Sequence, residues 1–475
     1  MRCIKVAFAT LGCKVNHYDT ATMETVLRRE GCEIVPFDAG ADVYVVNTCT
    51  VTDRADAESR QLARRARRLN PGARVVLTGC FAQTRPASAS ALPEVDHVIG
   101  VGRLADVVRA VRDGTGERVL VDDLRRAERV ATLGAETFAG QTRAFLKVQE
   151  GCDLFCTFCI VPFARGRSRS VEPRRVLEEL RRLADAGFRE VVLTGIHLGG
   201  YGRDLGSPIG FAELVETIAE VAPVPRLRLS SIDPPEVTPR LLDVMARSAV
   251  LCPHLHVPVQ AGSDGVLRRM RRQYDAARVR DVAAEIRDRL PDASLGTDVI
   301  AGFPGESEAD FEDTMRLLDD QPFTYFHVFP YSKRTGTTAA KARDALDPRT
   351  IARRAEALRR LGAEKRQAFT RRFVGRELRV LVESKRDRKT GFLGGYARNY
   401  VRTLFAGADE LVGSEVAVRA AASDGDRLLA SVSEVERDLR ARSGAFGAPE
   451  TRRNALGDRV PPGNPDPHSP ETSRD

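Results

Sequence analysis

Short apolar runs rich in β-branched residues alternate along this chain with longer stretches whose apolar positions recur at helical spacing. "KVAFAT" (5–10), "DVYVVNT" (42–48) and "ARVVLTG" (73–79) each end in small polar residues. Between them, "YDTATMETVLRREG" and "RADAESRQLARRARRLN" carry the helical period and stop at Gly or at Asn-Pro. This βαβαβ order predicts an open parallel sheet with helices on its faces over residues 1–135.

A second alternation follows. "AFLKVQE" (144–150), "EVVLTGI" (190–196), "RLRLSSI" (226–232), "HLHVPV" (254–259), "SLGTDVIAGF" (294–303) and "YFHVFPY" (325–331) read as strands. The first five are each followed by a helical pattern, such as "EPRRVLEELRRLADAG", with Pro at an early position and Gly past its end. Six parallel strands predict a partial (βα)6 barrel over residues 138–370, with its site at the carboxyl ends of the strands. From 373 onwards the pattern changes to short strands with Gly-rich turns, so residues 372–436 predict a small all-β barrel of OB-like size. Residues 437–475 are rich in Pro, Gly and charge and are expected to be disordered. The fold class is therefore α/β, followed by a small all-β module.

Composition narrows the chemistry. With 42% hydrophobic residues, no stretch approaches the roughly 18 uninterrupted apolar residues of a membrane helix. The start lacks the apolar core and cleavage site of a signal peptide, so the expected location is the cytoplasm. Thiols stay reduced there, and the nine cysteines read as metal ligands or catalytic groups before disulfides. A net charge of +8 suits a polyanionic partner. Arg is abundant throughout, so basic helices such as "RQLARRARRLN" read as solvated faces.

Cys13, Cys49 and Cys80 each fall just beyond a strand, in "LGCKVN", "NTCTVT" and "LTGCFA". In an open parallel sheet those strand ends share one edge, where a ligand crevice forms, so the three are predicted to converge. One such cysteine would read as a small buried hydrophobe; three in equivalent places read as a site. Cys3, Cys32 and Cys252 occupy no such places and are assigned structural roles. "EGCDLFCTFC" (150–159) places Cys152, Cys156 and Cys159 directly after the first barrel strand. A zinc site needs a second CxxC or HxxxH pair, and the chain has none. Three thiolates fit a four-iron cluster with one iron open to substrate. Two other readings stay open: a fourth ligand from His197, His254 or His256, and zinc held by a non-catalytic RNA-binding protein. His254 and His256 share one face of their strand, and each taken singly reads as a satisfied interior histidine.

"GCDLFCTFC" matches the CxxxCxxC signature of radical S-adenosylmethionine enzymes, including the aromatic Phe158 before the third cysteine. With "TLGCKVN", "NTCTVT" and "LTGCFAQ" upstream and "RSRS" downstream, the chain to about residue 436 resembles the methylthiotransferases of that superfamily. The resemblance implies that Cys152, Cys156 and Cys159 hold one [4Fe-4S] cluster whose open iron chelates S-adenosylmethionine. It implies that Cys13, Cys49 and Cys80 hold a second cluster carrying the sulfur to be methylated. "GTDVIAGFPGE" (296–306) is similar to the family segment in which Ile300 and Gly302 lie against adenine. The residues alone allow it equally to be a Gly-Pro turn closing a strand. "LTGIHLGGYG" (193–202) and "HVPVQAGSD" (256–264) match strand ends near the cofactor, with Thr194, Gln260 and Ser263 as polar contacts.

The C-terminal module resembles the TRAM domain of RNA-modifying enzymes. In "GGYARNYVRTLF", Tyr396 and Tyr400 interleave with Arg398 and Arg402, as base-stacking rings beside phosphate-binding guanidinium groups do. Alternating faces of an exposed strand would look the same. Family substrates are threonylcarbamoyladenosine in tRNA, isopentenyladenosine in tRNA, or an aspartate of a ribosomal protein. The wording "LGCKVNHYDT" and "NTCTVTDRADAESR" is most similar to the first branch, acting at C2 of the adenosine beside the anticodon, with the others following in that order. The implied partners are tRNA and an electron donor such as flavodoxin or ferredoxin; the sulfur source is left open.

Overall fold

The computed structural model describes residues 3–114, 116–131, 134–138, 140–206 and 209–433. The tail expected to be disordered, 437–475, lies outside them. The chain forms two compact units, Met1–Ala139 with Arg143–Gly362, and Gly140–Thr142 with Ala363–Asp475.

The first unit contains two parallel sheets. One is built from β1 (Lys5–Thr10), β2 (Glu33–Val35), β3 (Val43–Thr48), β4 (Arg74–Gly79), β5 (His97–Ile99) and β6 (Val119–Leu120), in the order β2-β1-β3-β4-β5-β6. Three of these strands follow from sequence periodicity. The others are two or three residues long and stand outside any longer apolar run that would show a period. Val43 and Val45 point to one face, where Met23 and Leu27 of the helix Lys14–Arg29 cover them. Tyr44 and Val46 point to the other, against Ala63 and Ala66 of the helix Asp53–Leu69. This is the period-two alternation of a strand covered on both sides. The strand order reverses between β1 and β3, and such a switch point opens a crevice at the carboxyl ends.

The second sheet uses β7 (Arg143–Lys147), β10 (Glu190–Thr194), β11 (Arg226–Leu229), β12 (His254–His256), β13 (Ser294–Ala301) and β14 (Tyr325–Pro330), and a separate antiparallel pair is formed by β8 (Gln149–Glu150) and β9 (Arg169–Ser170). Its halves, β11-β10-β7 and β12-β13-β14, meet through parallel bridges at Leu227↔Leu251 and Ser231↔His256. All six strands read from periodicity are present, in sequence order. Helix Pro173–Asp185 buries Val176, Leu180 and Leu183 against this sheet, a stripe at helical spacing.

One buried ion cluster holds the sheet's lower edge. Glu190 accepts from Arg226 Nε at 2.6 Å and Arg228 Nε at 2.7 Å, with all three side chains buried. Burial alone would raise the carboxyl's pKa, but the two guanidinium groups hold it well below the usual range. Its contribution is therefore complete above the ordinary carboxylate value of about 4.3 and is lost as pH falls below it. Glu190→Gln is expected to lower stability by about 3–5 kcal/mol in urea unfolding, because it removes the buried carboxylate that both guanidinium groups face.

The second unit is a closed barrel of β15 (Glu377–Arg386), β16 (Leu393–Ala397), β17 (Arg402–Phe405), β18 (Glu415–Asp424) and β19 (Arg427–Val432), in the order β15-β16-β17-β19-β18. Val380, Val382, Leu393, Phe405, Val416 and Val418 fill it. Among the described residues no helix is long and apolar enough to cross a membrane.

Candidate active site

Cys13 caps the helix Lys14–Arg29 in an extended conformation, Cys49 follows β3, and Cys80 opens the helix Cys80–Thr84. Cys49 and Cys80 are buried and Cys13 is exposed. Burial pushes the Cys49 thiol up to about 12, and the neighbouring Cys80 and Cys13 add to the shift. Burial raises Cys80 too, with Arg165 opposing and Cys13 reinforcing. The strand ends thus bring the three sulfurs within electrostatic reach of one another. Two desolvated thiols that resist becoming anions, beside an exposed third, suit a polycationic metal centre, which supplies the missing positive charge.

The turn before Cys13 depends on a glycine. Gly12 has φ +93°, and a Cβ there would lie 2.9 Å from both Cβ and Sγ of Cys49. Gly12→Ala is expected to displace Cys49 and to remove roughly half of the bound iron, read by iron and sulfide analysis of anaerobically reconstituted protein.

The second cysteine loop is tied down by backbone bonds. Cys152 N donates to Gly166 O at 3.0 Å and Cys159 N to Cys156 O at 3.0 Å. Thr157 donates its amide to Met270 O at 3.1 Å and its hydroxyl to Arg269 O at 2.8 Å. Arg272 donates to Cys156 Sγ at 3.2 Å while paired with Asp233 at 2.7 Å. Burial raises the Cys156 thiol against the opposing effect of Arg272, and burial pushes Cys159 up to about 12. Cys156 and Cys152 reinforce the Cys159 shift, so this set too is mutually coupled.

The histidines considered as a fourth ligand separate. His197 is 2.6 Å from Glu236 and lies near Cys152; burial would lower its pKa, but these two partners lift it to about 10. His254 bonds the Tyr325 hydroxyl at 2.8 Å, and His256 bonds Ser231 at 2.8 Å with Asp298 3.2 Å away. His197 therefore stands beside a cysteine of the loop, while the other two are held among the barrel strands.

Two buried ion networks join the sheets. Lys147 Nζ reaches Asp19 at 2.6 Å and Glu150 at 2.9 Å. Arg165 Nη1 reaches Asp19 at 2.8 Å and also pairs with Glu150, while its Nη2 bonds Asn16. Elsewhere, Arg334 reaches Thr50 at 2.7 Å and Asp56 at 2.8 Å and pairs with Asp53, beside Cys49. None of these residues stood out in the sequence. Lys147 in the otherwise strand-like "AFLKVQE" and the polar "NHYD" after Cys13 were the available signals.

The residues expected at the cofactor lie in three places. Phe158 packs with Ile300 and Phe303 in a small apolar cluster. Gln260 takes φ +68° and is bonded on both sides to β13, through Asp298 O at 2.8 Å and Ile300 N at 2.9 Å. Gly302 follows that strand, where a Cβ would meet Ile351. Ser263 caps the helix Asp264–Arg269 and bonds Asp310, so its hydroxyl already has structural work. Thr194 is buried at the end of β10.

In the second unit, Tyr396, Arg398, Tyr400 and Arg402 are partly exposed while Ala397, Asn399 and Val401 between them are buried. They do not lie on a single strand. Arg398 to Tyr400 form the turn between β16 and β17, with Tyr400 at φ +67°, so Tyr396 sits opposite Arg402. The two tyrosine rings stack at 4.8 Å, and Arg398 pairs with Glu415 at 3.3 Å.

Two family models match the chain: uncharacterized protein family UPF0004 over residues 5–100 and the radical SAM superfamily over residues 146–318. Threonylcarbamoyladenosine tRNA methylthiotransferase MtaB of Bacillus subtilis is 40% identical over 87% of this chain and 93% of its own length. The protein of the same name from Aquifex aeolicus is 40% identical over 80% of this chain and 93% of its own. A tRNA-2-methylthio-N(6)-dimethylallyladenosine synthase from Pelotomaculum thermopropionicum is 33% identical over 87% and 94%. Among solved structures, the radical S-adenosylmethionine methyltransferase TsrM of Kitasatospora setae aligns with a TM-score of 0.51 at 17% identity, covering 68% of this chain and 72% of that one. That likeness concerns the fold.

Proposed function

Because the chain belongs to the radical S-adenosylmethionine tRNA methylthiotransferases, we propose that it places a methylthio group on C2 of N6-threonylcarbamoyladenosine beside the tRNA anticodon. The single observation that carries the reading to this chain's own residues is the pairing of two three-cysteine sets within one compact unit. Greater similarity to the threonylcarbamoyladenosine enzymes, 36–40% against 33–36% for the dimethylallyladenosine synthases, supports the choice of substrate.

Cys152, Cys156 and Cys159 would hold one [4Fe-4S] cluster and Cys13, Cys49 and Cys80 the second. When bound, the clusters and S-adenosylmethionine would supply radical and sulfur-transfer chemistry, which no side chain provides for an unactivated aromatic C–H bond. The protein's part is placement. The donors Arg272 and His197 are aimed at the loop's sulfurs, and such outer contacts tune a cluster. Phe158, Ile300 and Gly302, with Gln260 and Thr194, are the proposed walls of the S-adenosylmethionine site, in an open (βα)6 barrel. Tyr396, Arg398, Tyr400 and Arg402 are the proposed RNA contacts of a TRAM-like module, where stacked rings next to guanidinium groups suit single-stranded bases and phosphates. A flavodoxin or ferredoxin is the proposed electron donor, and the cytoplasm the proposed location.

Mass spectrometry of tRNA nucleosides from cells lacking the protein tests this. The 2-methylthio derivative of threonylcarbamoyladenosine is expected to vanish and to return on complementation. Loss of 2-methylthio-isopentenyladenosine instead would move the chain to the other tRNA branch.

A further inference from the structure

We propose that Arg165 is a positioning residue for the N-terminal three-cysteine site, locking it to the barrel and raising the reduction potential of the cluster held there. The inference rests on the two-cluster reading above. The Arg165 side chain is 1% exposed, and its two terminal nitrogens take Asp19, Glu150 and Asn16. Asn16 in turn donates to Leu11 O at 2.6 Å and Thr48 O at 3.0 Å, the backbone just before Gly12 and just before Cys49. The helix Val161–Arg165 packs on the helix Cys80–Thr84, which sets the Arg165 charge close enough to oppose the burial-driven rise of the Cys80 thiol. Arg165 Nε is buried with no hydrogen-bond partner among the described residues. One side chain thus touches the surroundings of all three N-terminal cysteines while standing on the segment that leaves Cys159.

The electrostatic consequence follows from charge. Lys147 and Arg165 balance Asp19 and Glu150 in a network that water does not reach. Reduction adds negative charge to a cluster, and a cation or hydrogen-bond donor at a ligand sulfur stabilises the reduced form more than the oxidised one. Arg165 is the cation that the packing of its helix on Cys80–Thr84, and its bond to Asn16, sets beside this site.

The test uses the full-length chain with Cys152, Cys156 and Cys159 replaced by Ala, so that iron enters the N-terminal site alone. Iron content and the midpoint potential, from a redox titration followed by electron paramagnetic resonance, are compared for Arg165, Arg165→Lys and Arg165→Gln. Arg165→Gln is expected to move the potential negative by at least a tenfold change in the reduced-to-oxidised ratio, about 59 mV for one electron. Arg165→Lys, which keeps the charge, is expected to recover part of that shift. Since Arg165→Gln leaves an excess buried carboxylate, a second variant, Arg165→Gln with Glu150→Gln, restores neutrality for folding and is expected to show a smaller negative shift, because a neighbouring anion leaves with the cation. Unchanged potentials in iron-loaded Arg165→Gln and in the double variant overturn the proposal. Failure of the parent with native Arg165 to bind iron overturns the assignment of Cys13, Cys49 and Cys80 instead.

Discussion

Cys49→Ala is expected to abolish methylthiolated nucleoside while leaving S-adenosylmethionine cleavage to 5′-deoxyadenosine in place. The product should fall by more than about 10³-fold, since enzyme accelerations begin near 10⁶ and the sulfur has no second route. The separation follows from the architecture. Cys49 belongs to the β1–β3 switch point, whereas the loop of Cys152, Cys156 and Cys159 is anchored independently through Thr157 to Met270 and Arg269. Cys49 is itself buried, so the smaller Ala leaves a modest cavity and the sheet survives. Chromatographic measurement of both products from one reaction decides it: unchanged methylthio product refutes the two-site scheme, and loss of both products shows that the sites do not function independently.

Cys156→Ala is expected to remove both products. Cys156 is the cysteine to which Arg272 donates, and Arg272 also pairs with Asp233 and stacks at 4.9 Å over Tyr274. Removing the sulfur strands a donor of a nearly buried cation in addition to removing a ligand. The same assay should show 5′-deoxyadenosine lowered by more than about 10³-fold, with the N-terminal iron retained in elemental analysis. Retained cleavage activity would show that Cys156 is not a ligand of the S-adenosylmethionine site. Stoichiometric zinc in place of iron after anaerobic preparation would favour the RNA-binding reading without catalysis.

Periodicity was enough to read the strands that matter for the sites, because β1, β3, β4 and five of the six barrel strands run four to eight residues, and the three-residue β12 sits in the longer apolar run "HLHVPV". Placing a cysteine just beyond a parallel strand is a local fact, and parallel strands share a carboxyl edge, so the grouping of Cys13, Cys49 and Cys80 was legible along the chain. So was the loop "GCDLFCTFC", whose three cysteines are neighbours in sequence. The two- and three-residue strands β2, β5 and β6 were not, since pairing with neighbours rather than any pattern of their own makes them strands. Nor was the turn in "GGYARNYVRTLF", where an alternation that reads as one strand belongs to a hairpin bent at a non-glycine residue with positive φ. The tertiary structure alone decided how the two cysteine sets are held together. Asp19 meets Arg165 and Asp56 meets Arg334 across long stretches of chain, and a charge in a sequence carries no mark of the partner that will neutralise it once both have left water.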